Sequence, residues 1–168
     1  MRTLIIALLL LPLAAFTQTS DFFLKLTNAK GQQITGTSED RRYSKSIIAL
    51  TNSSGGKNDV LFNFTMVING ASAELKRVMA NGEFLTSGEF YIIPASETRT
   101  PSFIKKFEKI RVLSCVESMG CNGTMTTAVT LQAARVGSIY YSQNKVGAWI
   151  IDRKFGWDAE GGKEWTNF

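Results

Sequence analysis

The sequence predicts a mainly β protein, a compact barrel or sandwich that carries one short helix at one side. Several stretches alternate apolar and polar residues, as strands with one buried face do. Clusters of turn-forming residues separate these stretches, and a single segment changes to a helical period. The chain has 168 residues, 44% of them hydrophobic, which is enough for one buried core.

The chain opens with a segment that is typical of a secretory signal peptide. A basic start precedes an apolar run from Leu4 to Phe16, which is shorter than the roughly 20 residues that a helix needs to cross a bilayer. Small residues suit cleavage between Ala15 and Ser20, and a buried core helix is the alternative. We therefore predict a signal peptide over residues 1–20, a single domain over residues 21–168, and a secreted or periplasmic protein without further membrane contact.

Strand signals dominate the first part of the predicted domain. FFLKLT (Phe22 to Thr27) and VLFNFTMVI (Val60 to Ile68) place apolar side chains on one face. SKSIIALT (Ser44 to Thr51) is a plausible strand between them. A long polar loop precedes it, and the turn-rich NSSGGKND follows it.

One segment predicts a helix, from about Ser72 to Asn81. Ser72 is the expected N-cap, apolar residues recur at helical spacing from Leu75, and Asn81 and Gly82 are a stop signal. The apolar stripe is expected to pack into the core.

The second half contains further strands and one ambiguous segment. Strands are predicted over EFLTSGEFYII (Glu83 to Ile93), MTTAVTLQAARVGSIYYS (Met125 to Ser142) and VGAWIID (Val146 to Asp152). In SFIKKFEKI, Phe103, Phe107 and Ile110 have helical spacing after a proline, whereas IRVLSCV that follows is strand-like. Periodicity alone predicts a helix that begins there.

The composition excludes several classes of active site. With no histidine there is no Ser-His-Asp triad, no Cys-His dyad and no His-ligated metal. No phosphate-binding glycine loop is present, and hydrolysis by two carboxylates stays open without a pair to assign to it. The net charge of +5 attracts polyanions only mildly. We predict no enzyme, no cofactor, no metal and no nucleic-acid partner.

Two further features invite a functional interpretation. Cys115 and Cys121 flank VESMG, and an oxidising compartment favours a disulfide between them over two free thiols. FGWDAEGGKEW (Phe155 to Trp165) combines aromatic and acidic residues, which suggests a carbohydrate platform or a cation loop. Its acids lack the spacing of an EF-hand loop.

The order of these segments resembles the haemolysin-coregulated protein (Hcp) family, the tube protein of bacterial type VI secretion. The clearest run is DVLFNFTMVINGASAELKRVMANGEF, which looks like the family's F-x-F-T strand leading into a helix. Other similar segments, in order, are DFFLKL, RRYSKSIIALTNSSGG, FEKIRVLSCVESMG, TTAVTLQAARVGSIYY and KFGWDAEGGKEW.

This resemblance implies a β-barrel of two packed sheets with one helix, and a strand over Phe107 to Val116. It also implies a non-enzymatic subunit that forms a hexameric ring by heterologous contacts, with stacking of rings into a tube and carriage of small secreted effectors. In the C-terminal segment, Trp157 would pack against the barrel and Asp158 would cap or pair at the turn.

The leader departs from the family, whose subunits assemble in the cytoplasm and leave through the machine that they build. A periplasmic chain could not line a sheath on the other side of the membrane. The alternative is a monomeric binding module for a protein or glycan, anchored by exposed aromatics such as Trp149, Trp157 and Trp165.

Overall fold

The computed structural model describes residues 20–55, 59–96, 98–120 and 123–168. Within these residues lie β1 (Asp21–Thr27), β2 (Ile47–Ile48), β3 (Thr51–Gly55), β4 (Leu61–Val67), α1 (Gly70–Asn81), β5 (Phe84–Ile93), β6 (Phe103–Met119), β7 (Met125–Gln143), β8 (Trp149–Asp158) and β9 (Lys163–Glu164). The predicted signal peptide falls almost wholly outside the described residues and stays a prediction. In the described ranges, no helix is long and apolar enough to cross a membrane.

The strands form one antiparallel ladder that closes on itself. β1 pairs with β5, β5 with β6, β6 with β7, and β7 with β4. The segment from β2 to β3 completes the ring, because β2 pairs with β1 and β3 pairs with β4. Where it changes partner, the Ala49 N–H donates to the Phe22 carbonyl at 3.0 Å and the Leu50 N–H donates to the Thr65 carbonyl at 2.7 Å. The predicted mainly β barrel with one helix is confirmed.

β6 and β7 are long enough to serve two halves of this barrel, with 17 and 19 residues. In the proximal half, β5 flanks the first part of β6 and β8 flanks the last part of β7. In the distal half, β4 flanks the first part of β7, and α1 contacts β6. The two packed sheets of the prediction are thus joined into one ladder, because these two strands belong to both.

A kink at Lys109 explains the ambiguous segment of β6. Lys109 has a φ of 49°, and the pairing with β7 passes from Glu108 opposite Arg135 to Ile110 opposite Ala133 without a change of register. The left-handed backbone at this residue changes which alternate positions face inward, so Phe107 and Ile110 are both buried although they are three apart. A kinked strand therefore imitates helical spacing, and the strand that the resemblance implied is confirmed.

The helix α1 begins two residues earlier than the sequence predicts. Asn69 is the N-cap: its side chain accepts from the Ala71 N–H at 2.8 Å, while the Ser72 hydroxyl accepts from the Asn69 N–H at 2.8 Å. The assignment of Ser72 as N-cap was wrong, because in this reciprocal arrangement the serine occupies the third helical position. Gly82 ends the helix with a φ of 65°, where a residue without Cβ is not strained.

The core fills the barrel and continues under α1. The ring of Phe62 lies 4.9 Å from that of Phe90 and 5.1 Å from that of Phe107, which joins β4 to β5 and β6. Leu75 and Val78 bury the inner stripe of α1 against the same cluster. One charged side chain enters the proximal interior: Lys105 is 2% exposed and its ammonium pairs with the carboxylate of Asp59.

Candidate assembly surface

The C-terminal segment is held by contacts within the barrel. Asp158, at the end of β8, accepts from the Gly161 N–H at 2.8 Å and from Arg135 Nε at 2.9 Å. These bonds, the backbone one first, hold the pKa of Asp158 below its ordinary value. Its carboxylate therefore ties the turn after β8 to β7.

The two tryptophans of this segment pack on the protein itself. Trp157 is half-buried beside its strand partner Val136, and its indole nitrogen is enclosed. The ring of Trp165 lies 4.8 Å from that of Phe168, and Phe168 rests on the paired glycines Gly137 and Gly156. The tryptophans therefore do not form an open platform of the kind that stacks on sugars, and Phe155 is the aromatic residue of the segment that stays exposed.

The acidic residues of the segment are not gathered around a cation. Asp158 is bonded to Arg135, and the Glu160 carboxylate lies 2.7 Å from Lys109 Nζ. Among the residues that the structure describes, no group of three acidic, thiol or imidazole side chains could hold a metal ion.

Cys115 lies on β6, half-buried against the core, and carries a free thiol in the structure. Burial is the first cause that raises its pKa above the ordinary value. Cys121 falls outside the described residues, so the predicted bridge to it stays a prediction.

The outer surface of the proximal half, which we term the charged face, carries cross-strand ion pairs. Its outward residues form rows across β1, β5, β6, β7 and β8. Glu108 and Asp158 flank Arg135 at 3.0 and 2.9 Å, and Lys106 lies 3.4 Å from Glu89. Charged groups paired across strands at the surface remain hydrated, so this wall is suited to facing solvent.

Among the residues that the structure describes, a set of outward positions in the distal half carries no charge, and we term this part of the wall the uncharged face; Arg111, opposite Gln132 in the adjacent row, borders it. Its rows cross β3, β4, the first part of β7 and the last part of β6. Its outward residues are Thr51, Ser53, Asn63, Thr65, Val67, Ser114, Val116, Ser118, Thr126, Ala128 and Thr130. Lys76 and Glu117, which pair with each other, lie on the opposite side of this sheet, toward α1.

The uncharged face is partly apolar. Val67 and Val116 are 44% and 60% exposed, and Thr130 donates to Asn63 Oδ1 at 2.8 Å within the face. A shallow depression of about 360 Å³ lies over Thr51, Thr65 and Ala128. Sequence reasoning missed this surface, although uncharged alternating positions in β4 and β7 were a signal for it.

A second exposed apolar surface lies at the far end of β7, on the hairpin that joins it to β8. Residues 150–155 are exposed on both sides of the strand, so the hairpin projects from the barrel. Its large exposed apolar side chains are Tyr140, Val146, Ile150, Ile151 and Phe155. We call this set the projecting hairpin.

Comparison with known proteins supports the fold. No protein-family model matches the chain, and no curated protein matches it in sequence. Hcp1 from Salmonella typhimurium is similar in structure, with 21% identity, 86% of this chain and 98% of that chain covered, and a TM-score of 0.72.

Two further solved structures have a similar fold. A type six secretion system protein has 19% identity, covers 87% of this chain and 99% of its own, and gives a TM-score of 0.76. The secreted protein Hcp3 from Pseudomonas aeruginosa has 17% identity, covers 80% of this chain and 97% of its own, and gives a TM-score of 0.62. The chain therefore has the fold of the Hcp proteins of type VI secretion systems.

Proposed function

We propose that the mature protein is a non-enzymatic structural subunit, exported by the general secretory pathway, that associates with its own copies into a closed hexameric ring. The uncharged face is the observation that carries this proposal. The Hcp fold supports it, since the family resemblance implies ring formation.

The chemistry of the uncharged face suits contact with protein. Charged residues are depleted at the centre of protein interfaces, because their desolvation has to be compensated. Ser, Thr and Val also lose less side-chain entropy on ordering than Lys or Glu do. A wall with none of the 33 charged residues on its outward positions is therefore suited to being covered.

The uncharged face supplies part of the area that a specific contact needs. Four strands spaced about 4.8 Å apart, each contributing about five residues or about 17 Å, give a wall of about 330 Å². A contact of matched size on this wall alone buries about 650 Å² in total, so an interface of about 1,000 Å², the lower bound for a specific contact, would extend beyond it.

The proposal concerns a ring and not a contractile tube. Residues 1–20 have the pattern predicted for a secretory leader, and a chain delivered to the periplasm would be separated from a sheath built in the cytoplasm. Small secreted effector proteins are the cargo class that the resemblance suggests for the centre of such a ring.

The decisive experiment measures the solution mass of residues 21–168 by size exclusion with light scattering. We expect a mass near six chains, falling to one chain in Thr65→Lys, because the new ammonium lies at the centre of the uncharged face. Ser87→Lys is the matched control on the charged face and should retain the wild-type mass. A strictly monomeric wild type from micromolar to millimolar concentration would overturn the ring and favour the monomeric binding module.

Export is tested separately with the full chain in a bacterial host. We expect a shortened protein in the periplasmic or extracellular fraction, and an unexported protein when residues 1–20 are removed. An uncleaved full chain that stays in the cytoplasm contradicts the export part of the proposal, with no bearing on ring formation.

A further inference from the structure

We propose that the outer surface at Gly137 and Gly156 is a binding site for an aromatic side chain, and that Phe168 occupies it as an internal ligand which a partner polypeptide displaces. The partner segment that fits carries an aromatic residue and an acidic residue about four positions apart. This inference goes beyond the proposed function, because it does not depend on association between copies.

Two glycines that face each other across β7 and β8 form the floor of this site, which we term the glycine seat. Gly137 pairs with Gly156, and the Phe168 ring rests on both. A Cβ on Gly137 would lie 2.4 Å from this ring, and its three nearest atoms would all belong to the ring. Glycine weakens a strand, because it loses more backbone freedom on folding and has no side chain to pack. A pair of glycines under one ring is therefore a surface that fits an aromatic side chain.

Phe168 is held in the glycine seat by few bonds. Within the described residues, two hydrogen bonds join the tail from Trp165 to Phe168 to the barrel. The Trp165 N–H donates to the Gly156 carbonyl at 3.0 Å, and Lys154 Nζ donates to the Phe168 carbonyl oxygen at 3.0 Å. Residues 166–167 between them are exposed. A segment with so few bonds opens at low cost, so Phe168 can leave the seat while the barrel stays folded.

An open groove of about 370 Å³ leads from Phe168 across the neighbouring strands. Its floor follows one outward row of paired residues, Lys25, Glu89, Lys106 and Gly137. Three strand spacings of about 4.8 Å place Lys25 about 14 Å from Gly137, which is the length of about four extended residues. The groove therefore has room for a short peptide segment whose aromatic residue lies in the seat.

The charges along this groove favour an acidic segment. Lys106 lies 3.4 Å from the carboxylate of Glu89, so this pair is already matched. In the part of the chain that the structure describes, Lys25 and Lys154 have no carboxylate partner, and the Lys25 ammonium lies 5.4 Å from the centre of a tyrosine ring. Lys154 stands at the seat and Lys25 at the far end of the groove. An acidic residue of the partner would thus meet an ammonium group that lacks a counter-charge.

Calorimetric titration with a synthetic peptide, acetyl-Glu-Gly-Gly-Gly-Phe-amide, tests the proposal on residues 21–168. We expect Phe168→Ala to bind this peptide about tenfold more tightly than the wild type, as when the native ring leaves the seat open in about one molecule in ten. The same peptide with Gln in place of Glu should bind more weakly. With Ala in place of Phe it should not bind.

Gly137→Ala is the matched variant that closes the seat. In the wild type it should lower the melting temperature, because the new Cβ meets the Phe168 ring. In the Phe168→Ala background that ring is absent, so the same change should lower the melting temperature much less. The double variant is therefore expected to fold and to have lost binding of the peptide.

Three results would overturn the proposal. Equal affinity of the wild type and Phe168→Ala would show that the native ring does not compete for the site. Undiminished binding by the double variant would show that the peptide does not use the glycine seat. Absence of binding to Phe168→Ala, with its thermal unfolding still cooperative, would show that the seat takes no ligand from solution.

Discussion

The charged face and the uncharged face are outer surfaces of the same two strands, β6 and β7, yet their chemistry is opposite. Around Arg135, outward positions carry acids and bases in contact across strands. Around Ala128, outward positions carry only small polar and aliphatic side chains. Both faces share one core, so folding alone does not require the difference. The contrast is consistent with the proposed contact between copies on the uncharged face.

The difference extends to what covers each wall. On the charged face, Phe168 lies against Gly137 and Gly156, and Lys154 Nζ lies 4.6 Å from the centre of its ring. The interior behind this wall also contains a charge, that of Lys105. No described segment of the chain is placed over the uncharged face in this way, which leaves it open to a neighbouring copy.

The largest effect is expected from Phe62→Ala, which tests whether the two walls unfold as one cooperative unit. Phe62→Ala should lower the free energy of unfolding by about 3–5 kcal/mol, because the ring contacts Phe90 and Phe107 inside the barrel. Denaturant unfolding should show one transition at a lower midpoint. Phe62→Leu is the control and should lower the free energy of unfolding by less. Two separate transitions would show that the two halves of the barrel unfold independently.

A smaller effect concerns the charge inside the proximal half. Asp59→Asn should cost about 1–2 kcal/mol at neutral pH, because it removes the partner of the Lys105 ammonium and keeps a residue type that tolerates the φ of 61° at position 59.

The pH dependence of this variant checks the cause. Burial already lowers the pKa of Lys105, and the Asp59 carboxylate opposes that shift. Between the folded and unfolded pKa of Lys105, the unfolded chain binds more protons than the folded chain. The contribution of Lys105 to the free energy of unfolding therefore rises as the pH increases toward the unfolded pKa of lysine. The loss in Asp59→Asn should therefore shrink between neutral pH and pH of about 10. A loss that is constant with pH would contradict the role of Lys105.

Paired glycine variants compare the walls directly. Gly156→Ala should destabilise by about 1–3 kcal/mol, because its Cβ would lie 2.2 Å from the Trp165 carbonyl oxygen and 2.4 Å from the Phe168 ring. Gly55→Ala, at the border of the uncharged face, meets nothing within 4 Å and should be close to neutral. Thermal unfolding of the two variants measures the difference. Equal effects would show that the C-terminal segment does not pack against Gly156.

The smallest effect is the contribution of the ion pairs on the charged face. The pKa of Asp158 is lowered by its bonds to Gly161 and Arg135, so this group stabilises the fold above its unfolded pKa and ceases to do so as the pH falls through the folded one. Arg135→Met should make the acid-side loss of stability shallower, because one cause of the shift is removed. An unchanged slope in acid unfolding curves would show that Arg135 contributes nothing to that shift.

Local patterns were sufficient for much of the fold. The alternation in β1 and β4 identifies strands whose inner residues, such as Leu24 and Phe64, are buried. The helical period around Leu75 identifies α1, and its glycine stop is at the predicted place. Such features depend on neighbours within one element, and a sequence window contains all of them.

What depends on pairing between distant segments was beyond a local pattern. The kink at Lys109 gives β6 a helical spacing that only its partners in β5 and β7 override. The reciprocal bonds of Asn69 and Ser72 decide the start of α1, where the sequence predicted Ser72 alone as the cap.

The sequence by itself determined the class of the fold, the missing histidine chemistry and the resemblance that implies ring formation, because composition and the order of segments carry them. Only the tertiary structure decided that Thr51, Thr65, Ala128 and Val116 form one row on one wall. These residues come from four strands spread over much of the chain, and cross-strand register, which no single strand encodes, brings them together. In the same way, the structure decided that FGWDAEGGKEW packs on the barrel, because its partners Arg135 and Gly137 lie on a different strand.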